Sequence, residues 1–425
     1  MINIAVIADQ KSLETFWDFF QKNKNRIEQA VDQKIKINSI FIETDEIKSL
    51  NFSTNNSIKI SSDYSQLLLN SEVDVILELN KSEKTFSYIE RALQNNKIFI
   101  TSSSKVIVEN YTKIKKLEKE NKSRVYFSAA FSPLPIHTLI NDFYAVDGIK
   151  EINAVLNATT NYILTEMAKS TISMKETIEQ AKELSYVEEN PELDLDGYDS
   201  LYKITLLADL IYDTVLNPKK VDAKGIKGIT SYDLIYADEL GYKIKLICTL
   251  KKENEDLYIG VRPNLISENS FLASVNENSN AFEIFSEFNA KTIFKAENSN
   301  TAVNNLFCLD LINTANFINK KNKGKCNYQK HNFNFFDLYN CQQNQFYIRL
   351  QIEKNKEIIK EIKSIFSEQN LAELILHDNL TETPLLPVII ITKKIKENNL
   401  EILIKEIEEL EGVLTVNNII PVRAE

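Results

Sequence analysis

An aspartate and a lysine four residues apart, Asp199 and Lys203, stand in the segment DLDGYDSLYKITLLADLIYD. On a helix that turns about 100° per residue, this spacing places both side chains on one face, together with Leu206, Leu207 and Leu210. The pair is therefore expected to point toward a buried side of the helix. Because a charge buried without a partner is costly, the two residues form either a structural ion pair or a reactive site.

The chemistry available to such a pair is proton transfer. Desolvation lowers the pKa of a buried lysine, whereas a neighbouring carboxylate raises it, so the acid can hold its proton or lend it. Helical geometry alone leaves both the structural and the catalytic interpretation open.

The first part of the chain has the pattern of a sheet that could position such a site. Residues 1–145 alternate helical runs, such as 85–94, with the strand-like runs INIAVIA, KIKINSIFIE, VDVILELN, KIFITSS and RVYFSAA. This alternation is typical of an α/β fold with a doubly wound, parallel, Rossmann-like sheet. Residues 146–318 mix strands with the longest helical patterns, which predicts an α+β domain. One of these helices begins with a capping box formed by Ser173 and Glu176.

The end of the chain is separated from the rest by a polar stretch. Residues 319–344 are rich in Lys, Asn and Gln, and we interpret them as a linker. Residues 345–425 follow the order βαββαβ, which predicts a small antiparallel sheet with two helices on one face.

Composition narrows the classes of partner. The formal net charge is -10 and the pI is about 5.2, which argues against nucleic acid or an anionic membrane as the main partner. No apolar run approaches the ~20 residues of a membrane span. The four cysteines show no CxxC spacing and no secretory leader precedes them, so we expect a cytoplasmic protein. Cys326, His331 and Cys341 are too loosely spaced for structural zinc, and no metal site is expected.

A long central run resembles the substrate-domain signature of the homoserine dehydrogenases. That signature has an Asn-Gly-Thr-Thr-Asn-Tyr element, a Leu-Gly-Tyr-x-Glu segment and a Gly-x-Asp-x-x-x-Lys helix start. The matching run is AVLNATTNYILTEMAKSTISMKETIEQAKELSYVEENPELDLDGYDSLYKITLLA, and the likeness extends through KGIKGITSYDLIYADELGYKIKL. The final FYIRLQI, VIIITKKI and VNNIIPVRAE are similar to the ACT domain that closes many members of the family. The resemblance covers nearly the whole chain.

The resemblance implies an activity and a domain plan. It implies reduction of aspartate 4-semialdehyde to homoserine by NAD(P)H, on the route to threonine and methionine. It also implies an amino-acid substrate and a homodimer or homotetramer. Residues 1–145 would be the dinucleotide-binding domain, 146–318 the substrate-binding, catalytic and dimerisation domain, and 345–425 an ACT-like regulatory domain.

The resemblance assigns roles to individual residues. Lys203 would donate a proton to the forming alkoxide, and Asp199 would position it. The residues expected to hold the substrate lie in the same motifs: Asn157, Thr159, Tyr186 and Glu188.

The chain departs from the family where the cofactor would bind. Ala8, Gln10 and Leu13 stand where the family has Gly-x-Gly-x-x-Gly, and a side chain there crowds the turn or blocks approach to the pyrophosphate. Ser128 replaces a carboxylate, and 297–299 replace a Gly-Ala-Gly. The ACT-like segment lacks its Asp-x-Pro-Gly turn, which puts feedback by threonine in doubt. The residues left to contact a cofactor are Ala8, Gln10, Ser103 and Lys105.

Three hypotheses remain at this point. A working homoserine dehydrogenase predicts that residues 8–12 present free backbone N–H groups to a phosphate. A catalytically inactive relative, acting as a regulator or scaffold, predicts no nicotinamide binding. An unrelated sugar or amino-acid binding protein would share only the sheet. If a cofactor binds, Glu43 and Asp45 suit a ribose hydroxyl, so NADH should serve at least as well as NADPH.

Overall fold

The computed structural model describes residues 1–42, 58–144, 146–183, 187, 191–288, 290–320, 333–377 and 385–423. The chain forms two compact units. Unit 1 comprises Met1–Val146, Leu206–Val215 and Ala296–His331, and unit 2 comprises Asp147–Thr205, Leu216–Lys295 and Asn332–Glu425.

Unit 1 is built on a parallel sheet with helices between its strands. The strands are β1 (Ile2–Ile7), β2 (Ile35–Phe41), β3 (Lys59–Ser61), β4 (Val75–Glu78), β5 (Ile98–Ile100) and β6 (Val125–Tyr126). The helices are α1 (Gln10–Val31), α2 (Tyr64–Leu69), α3 (Thr85–Gln94), α4 (Ser104–Asn121), α5 (Ile136–Thr138) and, from later in the chain, α11 (Asn300–Lys320). The strand order is β3-β2-β1-β4-β5-β6, and every pairing is parallel. This is the doubly wound arrangement that the alternation predicts.

The core of unit 1 lies between this sheet and helices α1 and α11. Branched aliphatic residues of β1 and β2 pack against Leu13, Phe16 and Phe20 of α1. Phe307 of α11 meets Phe16 edge to face, with the ring centroids 6.3 Å apart, and Asn304 donates to the Thr15 carbonyl at 3.2 Å. Helix α11 is therefore part of this core, although it lies outside the predicted 1–145 segment.

Unit 2 contains a mixed sheet and most of the remaining elements. Its strands are β7 (Ile149–Val155), β8 (Tyr242–Glu253), β9 (Asp256–Ser267), β10 (Ser279–Ser286), β11 (Lys291–Glu297), β12 (Asn334–Asp337), β13 (Gln343–Glu353), β14 (Leu371–Leu376), β15 (Leu385–Thr392), β16 (Ile395–Lys396) and β17 (Val413–Arg423). Its helices are α6 (Ala158–Ser170), α7 (Met174–Glu183), α8 (Glu192–Leu195), the first part of α9 (Tyr198–Tyr212), α10 (Ser231–Glu239), α12 (Leu338–Cys341), α13 (Lys356–Asn370) and α14 (Glu397–Glu408).

The mixed sheet runs β11-β10-β7-β8-β9-β17-β13-β15-β14, with β12 on β9 and β16 on β13. Strands β13, β14, β15 and β17 with helices α13 and α14 have the predicted βαββαβ order, and both helices bury apolar residues against the same strands. The β17 strand pairs in parallel with β9, Val422 opposite Leu265. The C-terminal segment thus continues the sheet of unit 2.

Several local predictions can be compared with the structure. The capping box before α7 is present, because Ser173 and Glu176 bond each other's side chain and backbone. The strand expected over INAVLNATT ends at Val155, and 158–160 begin α6. Within the stretch interpreted as a linker, β12 and α12 pack on β9, while 321–332 lie outside the described residues. The domain boundaries themselves stay a prediction.

Within the described ranges, no helix is both long and apolar enough to cross a membrane.

Candidate functional site

Two glycines shape the turn that begins α9. Gly197 has φ +81°, a conformation that side chains rarely adopt, and its carbonyl accepts the first helical hydrogen bond, from Leu201. Gly225 lies against the same turn, where a Cβ atom would come within 1.8 Å of the Leu195 carbonyl oxygen. The Ile226 N–H donates to that oxygen at 2.8 Å. The turn therefore depends on glycine at both positions.

Asp199 and Lys203 form an ion pair in the first turns of α9. The Lys203 Nζ lies 2.7 Å from Asp199 Oδ2, and each side chain keeps only 16% of its exposure. The same ammonium donates to the Leu156 carbonyl oxygen at 3.1 Å. Within the described residues, two of its three N–H bonds have partners, so the third can serve the oxygen of a ligand.

Asn157 connects this pair to a second carboxylate. Its Nδ2 donates to Asp199 Oδ2 at 3.0 Å and to Asp194 Oδ1 at 2.7 Å. Its Oδ1 accepts from the Thr160 N–H at 2.8 Å and thereby caps α6. The amide is fixed at both ends, so it holds the two carboxylates of α8 and α9 at a set separation.

The surroundings keep Lys203 charged. Burial is the largest single influence and lowers the pKa of Lys203, but Asp199, through its charge and hydrogen bond, together with Asp194, outweighs it, so that pKa is raised above its usual value. Burial raises the pKa of the nearby Cys248 thiol to about 12, so this thiol stays neutral. The site therefore presents an ammonium group as its acid.

The other residues assigned to the substrate are only partly described. Thr159 lies in the first turn of α6 and is half-buried, next to the Asn157 cap. Tyr186 and Glu188 lie outside the described residues. Asp194 was not singled out from the sequence, although its spacing of five residues from Asp199 in DLDGYD was a signal that the two carboxylates could meet.

The turn between β1 and α1 in unit 1 differs from a glycine loop. The Ala8 N–H donates to the Phe41 carbonyl at 3.2 Å. The Ser12 N–H donates to Asp9 Oδ1 at 2.8 Å. The prediction that residues 8–12 offer free N–H groups is therefore wrong for Ala8 and Ser12, because the sheet and the cap of α1 already use them. Gln10 is the first residue of α1.

The neighbouring strand ends hold a buried acid. Both oxygens of Glu78 accept hydroxyl hydrogen bonds of 2.6 Å, from Thr85 and from Thr101. Ser103 is buried at the N-cap of α4 and its N–H donates to Thr101 Oγ1 at 3.1 Å. Lys105 is exposed in the first turn of that helix. Of the residues assigned to a cofactor in this region, Lys105 is thus the one that faces solvent.

A second buried acid of unit 1 faces Ser128. Asp310 accepts from the Ser128 N–H at 2.8 Å and from its hydroxyl at 2.5 Å. Burial raises the pKa of Asp310 to about 7, against the opposing hydrogen bonds from Ser128 and Asn313. A carboxylate therefore does lie beside the position where the family resemblance expects one, but it comes from α11.

In the part of the chain that the structure describes, no group of three His, Cys, Asp or Glu side chains could hold a metal ion. Cys341 is exposed and unpaired, and its two proposed companions, Cys326 and His331, lie outside that part.

Comparison with known proteins finds similarity to homoserine dehydrogenases. A family model described as homoserine dehydrogenase matches residues 135–304. The homoserine dehydrogenase of Neisseria gonorrhoeae is 25% identical over 357 residues, which are 82% of each chain. The solved structure of a homoserine dehydrogenase from Thiobacillus denitrificans has a TM-score of 0.87 at 19% identity, covering 99% of this chain and 98% of that chain. A hyperthermophilic archaeal homoserine dehydrogenase in complex with NADPH has a TM-score of 0.59 at 20% identity, covering 74% and 97%. At such identities the structural likeness concerns the fold.

Proposed function

We propose that the chain is a member of the homoserine dehydrogenase family that interconverts aspartate 4-semialdehyde and homoserine with NAD(P)H, using Lys203 as its acid. The observation that supports this assignment is the Lys203 ammonium group. It is mostly buried, and its partners among the described residues are Asp199 and the Leu156 carbonyl, which leave one N–H bond for a ligand.

The proton step follows from that geometry. When the aldehyde carbon accepts a hydride, its oxygen becomes an alkoxide that needs one proton. The Lys203 ammonium stabilises the growing negative charge and transfers an N–H proton to this oxygen, which yields the hydroxyl of homoserine. In the reverse direction the neutral amine takes the hydroxyl proton as the hydride leaves. Asp199 acts as a positioning residue that keeps the nitrogen aimed and its charge favoured.

Asp194 and Asn157 suit the other end of the substrate. The Asp194 carboxylate lies beside the Asp199–Lys203 pair through the Asn157 amide, and a carboxylate there can bind the ammonium group of an amino acid. The resemblance assigns that ammonium group to Glu188 and Thr159, with Tyr186 beside them. The ACT-like role of the C-terminal segment, the homodimer or homotetramer and the cytoplasmic location rest on the same resemblance.

The retained pair also argues against the catalytically inactive relative. A buried ion pair adds little net stability over apolar residues of the same volume. A scaffold would therefore have no need of the Asp194, Asn157, Asp199 and Lys203 arrangement. The family match over the same region removes the third hypothesis, an unrelated binding protein that shares only the sheet.

The experiment that tests this function is oxidation of NADPH and of NADH by the purified chain with aspartate 4-semialdehyde, compared with Lys203→Met. Loss of the acid should lower kcat by about 10²–10⁴-fold. Lys169→Met is the matched control, because Lys169 is a half-exposed lysine of unit 2 whose partners are Glu166 and Glu277. It should keep kcat within twofold or so of the parent chain, as surface pairs contribute little. No turnover by the parent chain, or equal turnover by Lys203→Met, would contradict the proposal.

A further inference from the structure

The turn after β1 lies where a doubly wound sheet usually binds its nucleotide. The strand order reverses between β1 and β4, which both pair in parallel, and ligands bind outside the carboxyl ends of the strands at such a point. The first helix after that point, α1, has 22 residues. Its N-terminus carries the partial positive charge and the N–H groups that a pyrophosphate normally uses.

Asp9 already occupies this helix N-terminus. It is the N-cap residue, with φ -82° and ψ 170°, and its Oδ1 accepts from the Ser12 N–H at 2.8 Å. Its other oxygen, Oδ2, accepts from the Ser12 hydroxyl at 3.1 Å. A carboxylate of the chain thus makes the charge-assisted bonds that the phosphate of a ligand would make.

Ala8 and Leu13, on either side of Asp9 in the sequence, are buried in unit 1. Ala8 is buried at the end of β1, and its N–H belongs to the β2 carbonyl of Phe41. Leu13 is completely buried in the core of unit 1, where the family resemblance expects the third glycine. A pyrophosphate approaching this turn therefore meets a like charge on Asp9 and a backbone held on both sides.

We propose that Asp9 is an affinity-determining residue that opposes binding of the dinucleotide pyrophosphate at the start of α1. Binding there requires the carboxylate to leave its own helix, so the affinity for NAD(P)H is set by competition between Asp9 and the pyrophosphate. This inference rests on the proposed function, because that function requires a nicotinamide dinucleotide.

The test is the Asp9→Asn variant of the full chain, studied by titration calorimetry with NADPH, ADP-ribose and adenosine. Asparagine is as good an N-cap as aspartate, so the helix start is kept while the negative charge is removed. The Kd for NADPH and for ADP-ribose should fall about tenfold, the factor that about 1.4 kcal/mol provides. Adenosine lacks the pyrophosphate, so its Kd should not change between the two proteins.

Asp63→Asn provides the matched control. Asp63 is the N-cap of α2 in the same unit, and its Oδ1 accepts from the Ser65 N–H at 2.9 Å. The substitution removes the same charge from the same kind of position, so a general effect of net charge would appear in both variants. The proposal expects the Kd values of Asp63→Asn to match those of the parent chain.

The outcomes separate this proposal from the proposed function. An unchanged Kd for ADP-ribose in Asp9→Asn, or an equal gain in Asp63→Asn, overturns the role of Asp9 even if the parent chain reduces the aldehyde. Tighter binding by Asp9→Asn alone supports that role even if neither protein turns over. Absence of binding by both proteins up to millimolar ligand counts against both proposals.

Discussion

Asp9 in unit 1 and Asp199 in unit 2 both lie at the start of a helix, and their carboxylates have different partners. Asp9 accepts hydrogen bonds from the N–H and hydroxyl of Ser12 in its own helix. Asp199 faces an ammonium group, that of Lys203, and an amide donor from another element. The first carboxylate accepts hydrogen bonds from the start of its own helix, and the second forms an ion pair with a lysine.

The difference concerns the chemistry for which each unit is suited. Proton transfer needs a few side chains at fixed distances, and unit 2 keeps them together with the glycines that shape the turn before α9. Phosphate binding needs backbone N–H groups without side chains nearby, and unit 1 has filled that place with Asp9, Ala8 and Leu13.

Within this comparison, the largest effect is expected from Asp199→Asn. This substitution replaces the carboxylate beside the Lys203 ammonium group with a neutral amide. Removing the charge should lower the pKa of Lys203, because burial then outweighs the remaining carboxylate. The alkaline limb of the pH profile of kcat/KM for aldehyde reduction should move down with it, and kcat should fall roughly 10- to 100-fold, less than in Lys203→Met. Because the pKa of Lys203 is raised in the parent chain, steady-state kinetics should extend from about pH 6 to 11 to measure the shift of the limb and the fall in kcat.

Asp196→Asn is the control for that profile. Asp196 lies in the same turn but pairs with the exposed Lys227, so its profile should match that of the parent chain. An Asp199→Asn profile that loses height without moving along the pH axis would mean that Asp199 has only a structural role.

A smaller effect is expected from Gly225→Ala, which tests whether the backbone of unit 2 is as closely fitted as the side-chain network suggests. The added methyl group would lie 1.8 Å from the Leu195 oxygen, so the turn before α9 must shift, at a typical overpacking cost of about 1–3 kcal/mol. The midpoint temperature of thermal unfolding and kcat should both fall. Gly228→Ala is the control, since its nearest neighbour is the end of the Asn418 side chain at 3.3 Å. Equal stability of the two variants would argue against a tight turn.

Asp310→Asn compares a buried carboxylate that accepts hydrogen bonds from Ser128 and Asn313 with Asp199, which faces a cation. The pKa of Asp310 is about 7 in the folded chain and about 4 when unfolded, so the native state binds the extra proton between these values. The free energy of unfolding should therefore fall as pH rises from about 4 to 7, by at most ~1.4 kcal/mol per pH unit. Asp310→Asn should remove that part of the slope.

Trp17 is the single tryptophan of the chain and lies in α1 of unit 1, which also contains Asp310. Its fluorescence therefore reports the unfolding of unit 1 in urea. Asp63→Asn should keep the slope of the parent chain, because Asp63 is exposed. A slope that persists in Asp310→Asn would assign the pH dependence to another group.

Much of the fold and part of the site could be predicted from local patterns. The parallel sheet followed from the alternation of strands and helices, and the Asp199–Lys203 pair followed from a four-residue spacing on one helix. The role of Asp194 was missed because its partnership depends on Asn157, 37 residues earlier in the chain. The Asp9 cap had a local signal, an aspartate directly before a helical run, which the comparison with a glycine loop obscured.

The sequence by itself determined the helix that holds Lys203, the succession of strands and helices along the chain, and the absence of glycine from the turn between β1 and α1, because these depend on neighbours within a few residues. Only the tertiary structure decided which groups far apart in the sequence face one another. Asp310 reaches Ser128 across 182 residues, Asn157 joins two carboxylates, and α11 returns to the core of unit 1. Such contacts depend on where the chain returns after long excursions, and periodicity along the sequence does not encode that path.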